Sequence, residues 1–142
     1  MRPARVQQLL LDAVVGLPGV SARTFEDADG DRARHPFGIT VDADGRTSRW
    51  QVAVMSAPGE ILTGEDVPAP VLGAKPPAME APAPTADPAT VERALIARLL
   101  ATDPGEIASV DLYSARPTPP AVGHGAVLDL HDGSRVFINH VR

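Results

Sequence analysis

The sequence predicts an α+β fold of two tandem units, each made of one helix and a three-stranded antiparallel sheet, joined by a proline-rich strap at residues 57–89. Three observations predict this fold. The same order of helical and strand-like patterns occurs before and after the strap. Eight of the fifteen prolines lie within it, and proline interrupts helices and central strands because it lacks a backbone N–H. Matching residues also recur in the two halves at nearly constant spacing.

The helix predicted in each unit carries a start signal. Pro3 suits a first helical turn, and Asp87 before Pro88 places an acceptor at the cap and proline at the first helical position. Gly16, Pro18 and Gly19 end the first helix. Apolar residues recur at helical spacing in both segments. They are Val6, Leu9, Leu10, Ala13, Val14 and Leu17 in the first helix, and Val91, Ala94, Leu95, Ile96, Leu99 and Leu100 in the second. The wide apolar surface of the second helix predicts that it is covered on more than one side.

The strands of each unit are predicted from alternating apolar residues and turn signals. A single strand is expected at residues 20–25 and another at 107–113, followed by hairpins at 37–54 and 126–141. The hairpin turn signals are Asp44-Gly45 and Asp132-Gly133. The last strand, at residues 135–141, is expected to leave a sheet edge that needs covering.

The register of the two halves suggests an internal duplication. The helices, the following turns and the hairpins match at offsets of 86, 87 and 88 positions, so two small insertions in loops account for the drift. The pairs are Leu9/Leu95, Pro18/Pro104, Gly19/Gly105 and Ala22/Ala108 at 86, Gly38/Gly125 and Asp42/Asp129 at 87, and Asp44/Asp132 and Gly45/Gly133 at 88. The units are then related by a pseudo-twofold axis, or by strand pairing into one larger sheet.

The predicted domain boundaries are a first unit at residues 1–56, a linker at 57–89 and a second unit at 90–142. Each unit has roughly fifty-five residues, near the lower limit for independent folding, so we expect a shared core or an oligomer. The core is expected to contain Leu10, Val14, Ile39, Val52, Leu95, Leu99, Val110 and Leu128.

Charge and composition limit the functional classes. The net charge is −5, with the strap contributing −4, the first unit 0 and the second −1, so neither unit is a basic nucleic-acid module. The chain has no cysteine, which removes disulfides, thiolate metal sites and cysteine nucleophiles. Since no targeting segment or membrane-spanning stretch is recognised, a cytoplasmic location is expected.

Two groups of residues suggest metal binding, and neither pattern is complete. The acidic residues 27–31 alternate as in a calcium loop, but Arg32 and Gly38 stand where an EF-hand needs glycine and glutamate. Three histidines lie near the last hairpin: His124, His131 and His140. A two-residue turn there would pair Gly125 with His140 and place His124 and His140 on opposite faces. No metal or cofactor site is therefore assigned.

The sequence contains no recognised catalytic motif. We therefore expect a non-catalytic assembly or adaptor protein, such as part of a larger particle or mobile-element system, with a protein partner or a second copy of itself. The candidate interaction residues are Trp50, Ile61, Leu62, Val71 and Leu72. Trp50 has a second interpretation as a core residue.

Two alternatives remain at this stage. One is a nucleic-acid-associated protein that uses the arginines of the first unit, and the other is a metal-dependent protein that uses the histidines of the last hairpin. The arginines are Arg2, Arg5, Arg23, Arg32, Arg34, Arg46 and Arg49. No small-molecule substrate is identified.

Overall fold

The computed structural model describes residues 1–25, 34–60 and 69–142. Within these residues the chain is α+β, with a six-stranded antiparallel sheet and two α-helices. The elements are α1 Pro3–Val15, β1 Val20–Thr24, β2 Gly38–Ala43, β3 Arg46–Met55, α2 Pro88–Thr102, β4 Ile107–Leu112, a 3₁₀ turn Tyr113–Ala115, β5 Gly125–Leu130 and β6 Arg135–Val141. Helix α1 contacts β1, β2 and β3, and helix α2 contacts β4 and β5. The helices also contact each other, so they lie on the same face of the sheet.

The sheet has the strand order β1-β2-β3-β6-β5-β4. The two halves of the chain meet where β3 pairs with β6, from Arg49 opposite Val141 to Met55 opposite Arg135. The expectation that the last strand forms an edge is therefore wrong: β6 is central, and the edges are β1 and β4. The pairing of β3 with β6 gives the two halves one continuous sheet.

Helix α2 begins and is buried as the sequence predicts. Asp87 is its N-cap, and its carboxylate accepts a hydrogen bond of 3.0 Å from the Ala89 amide. Pro88 occupies the first turn. Its buried positions surround most of the helix: Val91, Glu92, Ala94, Leu95, Ile96, Ala97, Leu99 and Leu100. Helix α1 buries one face instead, through Val6, Leu10, Ala13 and Val14.

The two hairpin turns differ in length. Asp44 and Gly45 both have positive φ, 51° and 72°, and Ala43 pairs with Arg46, so this is the predicted two-residue turn. In the second hairpin the Gly133 amide donates to the Leu130 carbonyl, and the Leu130 amide donates to the Ser134 carbonyl, both at 3.0 Å. That loop therefore holds three residues, and the predicted two-residue turn at Asp132-Gly133 is wrong.

The predicted core is buried with one exception. Leu10, Val14, Ile39, Val52, Leu95, Leu99 and Leu128 are all buried. Val110 is only partly buried, because it lies on edge strand β4, which has a neighbour on one side only.

Within the strap, residues 57–60 and 69–87 contain neither helix nor strand, whereas Pro88 and Ala89 already belong to the first turn of α2. Residues 61–68 lie outside the described part of the chain, so the expectation for the strap as a whole stays a prediction. Neither of the described helices is long and apolar enough to cross a membrane.

Candidate functional site

Two of the candidate interaction residues form an exposed apolar pair on the strap, which we call the strap tip: Val71 and Leu72. Their exposed fractions are 49% and 56%. Ile61 and Leu62 lie outside the described residues. The strap tip is therefore the described part of the predicted interaction segment, and it presents large apolar side chains to solvent.

The strap tip is held in place by the residues that follow it. The Gly73 amide donates a hydrogen bond of 2.9 Å to the Gly105 carbonyl. The His131 ring lies with Nε2 2.9 Å from the Ala74 carbonyl oxygen. A Cβ at Gly105, whose φ is 122°, would come within 2.9 Å of the Gly73 carbonyl oxygen. The close approach of the two backbones therefore requires glycine at Gly105.

Trp50 is fully buried, so its side chain offers no surface to a partner. The indole Nε1 donates a hydrogen bond of 2.8 Å to the Ser48 hydroxyl. The His140 ring packs against the indole with the ring centroids 5.1 Å apart. Of the two interpretations of Trp50, the core position is the one that the structure supports.

Helix α2 brings a buried carboxylate, Glu92, to the end of the last hairpin. Its Oε2 accepts a hydrogen bond of 2.7 Å from the Gly125 amide. Its Oε1 accepts one of 2.5 Å from the Ser114 hydroxyl. His124 Nδ1 lies 3.9 Å from Oε2. A buried amide without a partner is costly. The hydrogen bond to Glu92 therefore holds Gly125 in place at the start of β5.

Sequence reasoning missed Glu92, although a signal was present. Glu92 follows Val91 and precedes Leu95 and Ile96 at helical spacing, so it lies within the apolar surface of α2. An acid at such a position needs buried hydrogen-bond donors. The amide that supplies one comes from Gly125, whose place beside α2 depends on the tertiary fold.

The histidines of the last hairpin are arranged differently from the prediction. The three-residue loop pairs Gly125 with Asn139, and the His140 amide donates to the His124 carbonyl. His124 and His140 are therefore neighbours, with ring centroids 5.9 Å apart, and the expectation of opposite faces is wrong. His131 is at the far end of the hairpin. In the described part of the chain, no group of three His, Asp or Glu side chains is arranged to hold a metal ion. The acidic residues 27–31 lie outside it.

Acidification is expected to destabilise the fold through His140. Burial lowers the pKa of His140 below its usual 6.5, and electrostatic interactions with His124, Arg142 and Arg49 lower this pKa further. The His140 side chain then binds a proton more readily in the unfolded chain than in the folded one. The contribution of neutral His140 to stability is therefore fully present above about pH 6.5, and it is lost as the pH falls toward the pKa of the folded state. Urea unfolding followed by Trp50 fluorescence at a series of pH values measures this.

His140→Gln is the matched variant for this titration. Its free energy of unfolding should change less between about pH 7 and pH 5 than that of the natural chain, because the proton-linked contribution of His140 is gone. Identical pH dependence in both chains would contradict the assignment.

Two arginines of the first unit are engaged with carboxylates. Arg5 makes a bidentate pair with Glu106, with both N···O distances at 2.7 Å. Arg23 Nη1 lies 3.2 Å from Asp42 Oδ2. Arg32 is outside the described residues. Because a neutralised guanidinium attracts phosphate less, these pairs weaken the nucleic-acid alternative.

Comparison of the chain with protein-family models, curated protein sequences and solved structures found no match.

Proposed function

We propose that this protein is a non-catalytic adaptor or assembly protein that binds a protein partner through the strap tip. The observation that carries the proposal is the exposure of Val71 and Leu72 next to the anchored Gly73. Contiguous exposed apolar side chains are typical of interaction sites. The anchor limits the freedom of the segment before binding, which lowers the entropic cost of association.

The proposal is tested by affinity purification from a native extract with the natural chain and two variants. Leu72→Asp places a charge in the strap tip, where burial against a partner would be costly. Ala83→Asp introduces the same charge at another exposed position of the strap. We expect a partner that binds the natural chain and Ala83→Asp but not Leu72→Asp. Equal recovery with all three chains would contradict the proposal, and ultracentrifugation of the purified chain shows whether the partner is a second copy.

We also propose that the chain is an internal pseudo-dimer that arose by duplication of a helix and three strands. Gln51 and Asn139, 88 positions apart, pair with each other within the β3–β6 ladder. A shift of 88 positions also exchanges the flanking pair of Trp50 and His140 with the pair of Val52 and Ile138. A twofold axis through the Gln51–Asn139 pair accounts for this exchange, because it relates two copies of one strand.

A second support for the duplication comes from two hydrogen bonds. In the first half, Gln7 Oε1 accepts from the Gly38 amide at 2.9 Å. In the second half, Glu92 Oε2 accepts from the Gly125 amide at 2.7 Å. Each glycine lies against an aromatic ring in the space of the missing side chain, and these rings belong to Phe25 and Tyr113.

The helices correspond at a different offset from the one that the sequence predicts. Pro3 and Pro88 begin α1 and α2 at positions 85 apart. Leu10, rather than Leu9, then corresponds to Leu95. Leu10 and Leu95 are both buried, whereas Leu9 is only partly buried, which supports the revised offset.

Substitutions at Glu92 test this equivalence. Glu92→Gln keeps an oxygen that accepts from the Gly125 amide, as Gln7 does for Gly38, so we expect a loss of less than about 1 kcal/mol. Glu92→Leu leaves the buried amide without a partner, so a loss of about 1–3 kcal/mol is expected. Urea unfolding of both variants measures the difference. Equal losses in the two variants would argue against the equivalence.

We place the protein in the cytoplasm as part of this proposal. The absence of cysteine is compatible with a reducing compartment.

A further inference from the structure

Strand β1 forms one edge of the sheet. Among the described residues it pairs only with β2, in five consecutive pairs. The amide of Phe25, the residue after β1, donates to the Gly38 carbonyl of β2. Because main-chain groups alternate in direction along an antiparallel strand, the amides and carbonyls of Val20, Ala22 and Thr24 point away from β2. The edge therefore directs the hydrogen-bonding groups of these three residues to the outside of the sheet.

The opposite edge strand, β4, carries features that hinder the addition of another strand. Its pairing with β5 has a register shift between Ile107 and Ser109, and such bulges are one way in which proteins protect an edge. The ion pair of Asp111 with Arg116 adds charge to the same strand. The five residues of β1, all of them described, include no register shift and no proline. Strand β1 is therefore the edge better suited to pairing.

An apolar rim runs beside the β1 edge on the helix-covered face of the sheet. We define this edge rim by two residues of α1 and two of β1: Leu11, Val15, Val20 and Ala22. Val20 and Ala22 face the helices because they pair with the core residues Ala43 and Val41. Val15 is 86% exposed, more than any other large apolar side chain in the described residues. The other three members are only partly buried, so the rim leaves apolar surface to be covered.

The two α1 members of the edge rim lie on the side of α1 that faces away from α2. Leu11 and Val15 are one helical turn apart and share a side. Leu9 is about 200° from Leu11 around the helix, and it lines a cavity together with Leu99 of α2. Because α1 contacts β1, β2 and β3, the side opposite to α2 is the side of the β1 edge.

The backbone of β1 is complementary to a second copy of itself. In an antiparallel pair centred on Ala22, Val20 of one chain lies opposite Thr24 of the other, so all three outward-pointing residues meet outward-pointing residues. A twofold axis perpendicular to the sheet relates the two strands, so the helices of both copies lie on the same face. The two edge rims then meet above the paired strands. Strands β3 and β6 already pair antiparallel in this way, with α1 and α2 in contact on one face.

The charges of β1 are complementary in the same register. Ser21 of one chain lies opposite Arg23 of the other, so no like charges face each other. Asp42 is the neighbour of Ser21 on β2, which places it in the same row as Arg23 of the second chain. Within one chain Arg23 Nη1 lies 3.2 Å from Asp42 Oδ2. Two arginines and two aspartates of opposite charge therefore alternate across the centre of the pair.

We propose that β1 is a self-association edge, at which two copies of this chain pair antiparallel about Ala22 and join their sheets into one. The edge rims of both copies are buried between the two α1 helices. The strap tip is anchored at Gly105, just before the opposite edge strand β4, so the dimer leaves both strap tips exposed. The dimer does not rest on the proposed adaptor function.

Analytical ultracentrifugation of the full chain over a concentration series tests the dimer. Val15→Lys places a charge in the edge rim, and lysine is favourable in the last turn of a helix, so the variant should fold. Val71→Lys makes the same change at the strap tip, where Val71 is also exposed. We expect the natural chain and Val71→Lys to dimerise with the same Kd. Val15→Lys should raise the Kd at least about tenfold, because a charge would be buried in the interface.

A second variant tests the pairing of the backbones. Ala22→Pro removes an amide that points away from β2, so the pairing within the chain is kept, as for prolines on edge strands generally. It should abolish the dimer, while circular dichroism establishes that each variant is folded. Amide exchange of the natural chain gives a readout that needs no variant. The Ala22 amide should become protected as the dimer forms, whereas the Arg23 amide, which points toward β2, should be protected at every concentration.

A natural chain that stays monomeric throughout the series would overturn the proposal, and so would an association that neither Val15→Lys nor Ala22→Pro weakens. Weakening by Val71→Lys alone would assign self-association to the strap tip instead. Growth beyond a dimer would indicate pairing of β1 with β4 of the next copy and would also overturn the symmetric pair. If the dimer forms as expected but the Leu72→Asp purification shows no dependent partner, the adaptor function fails and the β1 edge stands.

Discussion

Gly125→Ala is expected to lower the free energy of unfolding by about 3–5 kcal/mol. Gly125 has a φ of 143°, which L side chains rarely adopt. A Cβ there would lie 2.2 Å from the Ile138 carbonyl oxygen and 2.9 Å from the Tyr113 ring. The collision involves the backbone of β6, a central strand, so relief requires the sheet to move. The new side chain would also displace the amide that donates to Glu92.

Gly123→Ala is the control for this substitution. Gly123 also has a positive φ, 81°, but no atom lies within 4 Å of the added Cβ. Its cost is limited to backbone strain of about 1 kcal/mol. Urea unfolding followed by the fluorescence of Trp50, the single tryptophan, measures both variants. Equal losses would show that the collision with Ile138 is not what requires glycine at Gly125.

Leu99→Ala is expected to lower the free energy of unfolding by about 2–5 kcal/mol, the usual range for a truncated buried leucine. Leu99 is buried and lies beside Leu128 and Val136 at the junction of α2 and the sheet. The truncation removes apolar contacts, and the surrounding strands are too constrained to fill the space fully. Chemical unfolding at neutral pH measures the loss.

Leu72→Ala makes the same chemical change on the surface. Because Leu72 is 56% exposed in the free chain, we expect a change within about 0.5 kcal/mol. A loss below about 1 kcal/mol for Leu99→Ala would contradict its position in the core. A large loss for Leu72→Ala would instead show that the strap tip contributes to the stability of the free chain.

Local patterns account for most of the fold that the sequence predicts. The caps and apolar spacing locate α1 and α2, and alternation with turn residues locates the strands. Asp44-Gly45 also predicts its turn type, because a two-residue turn needs positive φ at both positions, which Asp and Gly tolerate. These features depend on residues close to each other in the chain, so a sequence is sufficient to find them.

The remaining features depend on contacts between distant residues. In the loop at Asp132-Gly133, the Asp132 carboxylate accepts a hydrogen bond from the Ser134 amide at 2.8 Å, which favours the longer turn. That one additional residue reverses the face of every side chain in the predicted register, and it is why His124 and His140 were expected to lie apart. The central position of β6 was also missed, because strand order is determined by the pairing of β3 with β6 across the two halves.

The candidate site is predictable only in part. Val71 and Leu72 stand out in the sequence as apolar residues in an acidic, proline-rich stretch. Their anchor does not, because Gly73 and Gly105 are 32 positions apart and meet only in the folded chain.

Amide hydrogen exchange at the strap tip, with the chain free and in its native assembly, tests the adaptor proposal most directly. The Gly73 amide is an internal reference, because it is paired with Gly105 in the free chain and should be protected in both states. We predict that the Val71 and Leu72 amides exchange rapidly in the free chain and become protected in the assembly. Rapid exchange of both amides in both states, with Gly73 protected throughout, would contradict the proposal and leave the segment a tether.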